Sequence, residues 1–244
     1  MKEIKDCLTI KNYTDKAELY FYGDIVSDSF EKWSDLDTCP QDVLDYLNTI
    51  EDGKPIDIYI NSGGGAVFAG ISIYNALKRK QGKKTCYVDG LAGSIASVIA
   101  MAGDEIVMPS NSYLFIHKPL CSCVGNANDM LETAHTLDRI EEGILNVYKE
   151  KLRDGVSIET IKEMVDKETW MTGEEASEYF NIKVIKANNA VAKIDINSIK
   201  NYSNIPTELL EHQPIEEPIV DTEKIDRINK EIELLKAEVD LLLN

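Results

Sequence analysis

The sequence predicts an α/β fold, a parallel sheet with crossover helices. Two observations carry this. Short runs rich in β-branched and aromatic residues alternate with segments of helical period, the pattern of βαβ units. Composition agrees: 43% apolar and 28% charged residues in 244 positions suit one sizeable soluble domain plus an appendage.

The elements follow in order. "AELYFYGDIV" (17–26) reads as a strand. "CPQDVLDYLNTI" (39–50) reads as a helix with Val43, Leu44, Leu47 and Ile50 on one face. "PIDIYI" (55–60) is a second strand, followed at once by "NSGGG". "AVFAGISIYNALKRK" (66–80) is a helix whose last turn is basic, where the helix dipole favours cations. "KKTCYVDG" is a third strand, and "GSIASVIAMAG" a short apolar helix that should be buried. "EIVM" and "YLFIH" flank the turn "PSNS" as short strands. A helical stretch from about 126 to 153 repeats Met130, Ala134, Leu137, Ile140, Ile144 and Tyr148. It is too long for such strands, so it should project and use its stripe on a neighbour, a second copy of the chain. Two more helices follow within 157–180, Ser157 and Glu159 opening the first and "TGEEA" the second. "IKVIKA" (182–187) is the last strand.

After residue 187 the periodicity dissolves. Residues 188–222, with prolines 206, 214 and 218, read as a linker. Over 223–244, Ile225, Ile228, Ile232, Leu235, Val239 and Leu242 form a heptad seam. Glu231 and Lys236 would pair across a parallel dimer, so the segment reads as a short coiled coil; one helix packed on its own domain is the alternative.

Charge restricts the partners. Lys and Arg number 26 against 43 Asp and Glu, a net charge of −17, which argues against nucleic acid and anionic membrane. The first twenty residues hold no apolar core of signal-peptide length, and no stretch approaches a transmembrane span. Five scattered cysteines fit a reduced, cytoplasmic chain. His117, Cys121 and Cys123 lie near one another but lack zinc-site spacing, so thiols without a metal are expected.

The chemistry centres on "VDGLAGSIASVIAMAG". A serine attacks only when a base takes its proton and donors hold the oxyanion. Ser94 sits at the entry of the apolar helix, beside unpaired N–H groups; Ser97 lies one turn inside, where its hydroxyl can return to a carbonyl. Position favours Ser94 as nucleophile, with a simple N-cap serine as the alternative. The turn "NSGGGAVF" can offer backbone N–H groups to a ligand; a dinucleotide reading fails because Phe68 stands where a third glycine belongs. His117 ends a strand, where α/β sites are built. His135 and His212 are placed in the long helix and the linker, away from any shared site. Asp166 and Glu168 precede Trp170 and could orient an imidazole.

Together, "INSGGG…AG.SIYNAL", "VDGLAGSIASVIAMAG", "MP.NS.LFIHKPL" and "ETWMT.EEA.EYF" resemble, over residues 17–187, the ClpP family of self-compartmentalising serine proteases. The likeness is greatest to the phage-associated branch, the head maturation proteases. The resemblance implies the ClpP/crotonase fold of repeated β-β-α units, with 126–153 as its projecting handle helix. It implies Ser94 as nucleophile, His117 as base and Glu168, where the family usually has Asp, as third member, with Asp166 as fallback. Oxyanion donors fall on the backbone of Gly64 or Gly65 and of Ile95. It implies no metal or cofactor, a homo-oligomeric ring, often seven-membered and stacked in pairs, and a protein or peptide substrate. For the phage branch that substrate is scaffold or capsid protein; for the housekeeping branch the partner is an AAA+ unfoldase. A degenerate assembly protein and an acyl-CoA enzyme on the same fold are the rivals. Gly63 replaces a family proline, which implies a looser turn.

Overall fold

The computed structural model describes residues 11–187, 199 and 202–207. The chain divides into two compact units, 1–206 and 207–244, and every described residue but Thr207 belongs to the first. The heptad segment (223–244) lies outside the described residues, as does most of 188–222.

The first unit runs β1 (Lys11–Asn12), β2 (Ala17–Phe21), α1 (Pro40–Thr49), β3 (Ile56–Ser62), α2 (Val67–Arg79), β4 (Lys84–Gly93) and α3 (Ile95–Ala100). It continues with β5 (Glu105–Pro109), β6 (Tyr113–Ile116), α4 (Ala127–Lys149), α5 (Ile158–Asp166), β7 (Thr169–Thr172), α6 (Gly173–Tyr179) and β8 (Ile182–Ile185). The main sheet has the order β1-β2-β3-β4-β5-β8. From β2 onward all of its pairs are parallel, as expected of strands joined by helices.

Local chemistry explains the boundaries. Pro40 opens α1 where a missing N–H costs nothing. Asn126 and Asp129 form a capping box at the start of α4. Ser157 caps α5 by accepting from the Thr160 N–H. Thr172 and Glu175 make a second capping box, so the motif "TGEEA" does begin α6. Along β3, Ile56, Ile58 and Ile60 are fully buried, while Tyr59 points to the other face. There Tyr20, Tyr59 and Tyr87 stack across three strands, with ring centroids 4.7 and 5.1 Å apart. The Ile face packs into a core shared with Ile73 and Leu77 of α2 and with Ile95, Ala96, Val98, Ile99 and Ala100 of α3.

Two elements differ from the sequence reading. The long helix does not project along its whole length. Glu141, Ile144, Leu145 and Tyr148 are buried against its own unit, while Met130 and Leu131 near its start stay more than half exposed. And "TWMT", between the two short helices, is a strand that pairs antiparallel with β6. It has only four residues, too short for alternation to declare itself.

β4 is shared. Its first half, Thr85–Tyr87, pairs with β5, and its last residues, Leu91–Gly93, pair with β6. A smaller ladder, β4-β6-β7, therefore branches from the main sheet.

Candidate active site

That ladder assembles the site. Gly93 pairs with Phe115, and Ile116 pairs with Thr169. Ser94, His117 and Glu168 each lie one residue beyond these pairs, so they leave the ladder at the same end. The Ser94 N–H closes the edge by donating to the Phe115 carbonyl at 2.9 Å.

Ser94 occupies the N-cap position of α3, yet its side chain makes no capping bond. Its Oγ lies 2.7 Å from Nε2 of His117 instead. This removes the simple cap reading. Its backbone is left-handed, with φ 51°, a geometry that costs a non-glycine residue about 1 kcal/mol. Such strain at a strand-to-helix turn thrusts a hydroxyl out of the chain. Ser97 does what its place in the helix implied: its hydroxyl donates to the Ser94 carbonyl and lies 2.7 Å from the Tyr148 hydroxyl.

The glycine turn lies against the serine. A Cβ built on Gly64 would stand 2.6 Å from Cβ of Ser94 and 3.1 Å from the Ile95 nitrogen. The turn is sewn down on its other side. Ser62 Oγ donates to the Gly23 carbonyl at 2.6 Å and accepts from the Gly64 N–H at 3.1 Å. Gly64 O accepts from the Ile25 N–H at 2.8 Å, and the Ala66 N–H donates to Ile25 O at 2.7 Å. These bonds fix the turn where the family proline is missing. They also separate the two glycine candidates, because the Gly64 N–H is already engaged. The Gly65 and Ile95 N–H groups donate to no other described residue, and Ile95 begins α3, where N–H groups lack helical partners.

His117 is buried. Its ring stacks on Phe115 at 5.0 Å, two residues back on the same face of β6, and Phe115 stacks on Trp170 of β7 at 4.0 Å. Burial pulls the imidazole below the usual histidine range, since the charged ring loses solvation; the Glu168 charge and the Lys118 backbone pull the other way.

The two carboxylates have different partners. Asp166 is held 2.7 Å from Lys118 Nζ. Glu168 follows the end of α5 with a left-handed backbone, φ 51°, and its charge acts on His117. Its Oε2, however, accepts the Ser203 N–H at 2.8 Å.

Beside the Ser94–His117 pair opens a shallow recess. Val67, Val98, Ile144 and Tyr148 are among its walls, with Lys118 and Pro119 at hand. The site therefore combines a paired hydroxyl and imidazole, unsatisfied backbone donors and an apolar recess. That combination can bind an apolar side chain and attack the carbonyl beside it. Sequence reasoning missed Tyr148 and Ile144 as cleft walls; their place in the helical stripe marked them only as apolar. Cys121 and Cys123 are exposed, and no group of three His, Cys, Asp or Glu placed to hold a metal occurs among the described residues. No helix among them is long and apolar enough to cross a membrane.

Comparison with known proteins gives a consistent result. The chain is 33% identical over 137 residues to an ATP-dependent Clp protease proteolytic subunit of Bacteroides fragilis, covering 55% of this chain and 65% of that one. It is 37% identical over 139 residues to proteolytic subunit 1 of Protochlamydia amoebophila, covering 55% and 66%, and 32% identical over 140 residues to the Chlorella vulgaris subunit, covering 56% and 68%. It thus spans just under two thirds of the length of the first two relatives. A family model for Clp protease matches residues 29–188, which is more than half of the chain, and with the fold and the ladder-end site this means that the chain belongs to the Clp protease family.

Proposed function

We propose that the protein is a serine endopeptidase of the ClpP type. The observation that carries this is the 2.7 Å contact between Ser94 Oγ and His117 Nε2, next to backbone donors with no other partner among the described residues. In this reading an apolar side chain of the substrate enters the cleft. Ser94 Oγ attacks the adjacent carbonyl carbon while His117 Nε2 takes its proton. The carbonyl oxygen, now an oxyanion, accepts from the Ile95 and Gly65 N–H groups. His117 passes the proton to the leaving amine. Water then repeats the sequence on the acyl-enzyme and restores Ser94. Glu168 orients the imidazole and offsets its positive charge, with Asp166 kept by Lys118.

A fluorophosphonate probe followed by peptide mapping tests the nucleophile. Labelling of Ser94 that disappears in Ser94→Ala supports the reading. A folded wild type that neither labels nor cleaves peptides sinks it and favours an assembly protein.

Two finer points belong to the same proposal. The working form is a ring of copies, supported by the exposed Met130 and Leu131 at the start of α4 and by the family. Light scattering with and without the segment after Asp221 tests whether ring or coil drives assembly. The substrate is phage scaffold or capsid protein, supported by the branch resemblance and the heptad tail. The relatives' names favour the alternative, work with an AAA+ unfoldase. Incubating wild type and Ser94→Ala with head proteins, and separately with an unfoldase and a folded substrate, decides between them.

A further inference from the structure

Residues 202–206 lie against the site rather than away from it. The ring of Tyr202 is 4.7 Å from that of His117 and 4.8 Å from that of Phe115, tilted 54° to both. Its hydroxyl reaches toward the Gly63 carbonyl at 3.5 Å. The next two residues are anchored in turn. The Ser203 N–H donates to Glu168 Oε2 at 2.8 Å, and Trp170 Nε1 donates to the Ser203 carbonyl at 3.2 Å. Asn204 Nδ2 donates to the Lys167 carbonyl at 3.1 Å. Upstream, Ile199 is fully buried and its carbonyl accepts the Tyr202 N–H.

These contacts fall on groups the reaction needs. Tyr202 packs on the imidazole. Ser203 holds the carboxylate that would otherwise be free to orient the imidazole. Gly63 belongs to the turn along which a substrate backbone would run. None of the described strap residues lines the apolar recess, whose walls include Ser94 and His117 themselves. A peptide seated there meets the strap at His117, on which Tyr202 packs.

We infer that the surface formed by Phe115, His117, Glu168 and Trp170 is a docking site for an aromatic residue followed by a bent backbone, and that its resident occupant is Tyr202–Asn204 of the chain itself, an internal competitor that must leave before a peptide is cut. The inference rests on the peptidase reading. It adds that the site is closed by its own C-terminal strap, with Tyr202 as the stopper and the Ser203 N–H as the lock on Glu168.

The test uses the full chain and two ways of opening the strap. Tyr202→Ala removes the stopper. Ser203→Pro removes the N–H that holds Glu168 while leaving Tyr202 in place. Both are compared with wild type in fluorophosphonate labelling and in hydrolysis of a short fluorogenic peptide with an apolar residue before the scissile bond. Each variant should react faster, by about tenfold if roughly one wild-type molecule in ten is open. The peptide Tyr-Ser-Asn-Ile, added in trans, should inhibit Tyr202→Ala and return it toward the wild-type rate. Active wild type with variants that are no faster, or with a peptide that does not inhibit, overturns the strap and leaves the peptidase reading standing. If no form reacts, the peptidase reading falls and Trp170 fluorescence judges the docking site, in a Trp33→Phe background. A saturable change on adding the peptide to Tyr202→Ala but not to the chain that keeps Tyr202 supports it; no change in either rejects it.

Discussion

Gly64→Ala isolates the contact between the glycine turn and the nucleophile. Two costs arise. The first is backbone: φ is +104° at Gly64, and an L-residue there costs about 1–2 kcal/mol. The second is steric and local to the site. The new methyl would stand 2.6 Å from Cβ of Ser94 and 2.8 Å from the Gly93 carbonyl oxygen, about 1 Å inside normal carbon contact. Gly64 cannot retreat easily, because its N–H and carbonyl are bonded to Ser62 and Ile25. Ser94 must therefore shift, and a displacement of about 1 Å at reacting atoms costs on the order of 100-fold in rate. Gly53→Ala is the matched control: φ is +86° there too, but nothing lies within 4 Å of the added methyl. Calorimetry should show both variants melting lower, by about 2–4 °C per kcal/mol for a chain of this size. Only Gly64→Ala should lose fluorophosphonate labelling and peptide hydrolysis. A Gly64→Ala protein that labels as fast as Gly53→Ala would refute the placement of the turn against the nucleophile.

Ser94→Ala should abolish labelling and lower kcat/KM by on the order of 10³-fold or more. Ser94→Gly should be equally inactive yet about 1 kcal/mol more stable than Ser94→Ala in denaturant melts, because glycine accepts the φ of 51° without strain. Glu168→Gln should reduce kcat/KM by up to about 10⁴-fold, whereas Asp166→Asn should leave it unchanged and cost less than about 1 kcal/mol, its partner Lys118 being half exposed; the opposite ranking reassigns the third member. The base must be neutral to accept a proton, and burial lowers the His117 pKa, so the acid limb of kcat/KM should have its midpoint below about 6.5. Stability follows the same sign: the unfolded chain takes up this proton first, so the folded state loses stability as pH falls below about 6.5 and keeps it above. A limb centred at or above that pH contradicts the burial.

Much of this was legible in the chain before any coordinates. The helix starts at Asn126, Ser157 and Thr172 follow capping chemistry, which is local and so visible in sequence. Ser94 was singled out by its place at the entry of an apolar helix, and His117 by its place at the end of a strand. The pairing of β7 with β6 was not, since four residues carry too little alternation and the register is set by a partner more than fifty residues away. The carboxylates illustrate the same limit. Asp166 and Glu168 are two apart, and only the end of α5 and the left-handed turn at Glu168 give them different partners, Lys118 for one and the Ser203 N–H for the other. Tyr202 carried no signal at all: it lies in a proline-bearing stretch without periodicity, and its side-chain contacts are all tertiary.

The branching of β4 has a mechanical consequence. Hydroxyl, imidazole and carboxylate hang from three neighbouring rails, so sliding the large sheet beneath them moves all three as one carriage. Fraying of β1 or β8 should leave the machinery intact, while a single-residue slip of β6 would turn His117 to the opposite side and disarm it at once. Amide exchange in Leu114–Ile116 should therefore mark the temperature at which the protein stops working, ahead of global melting.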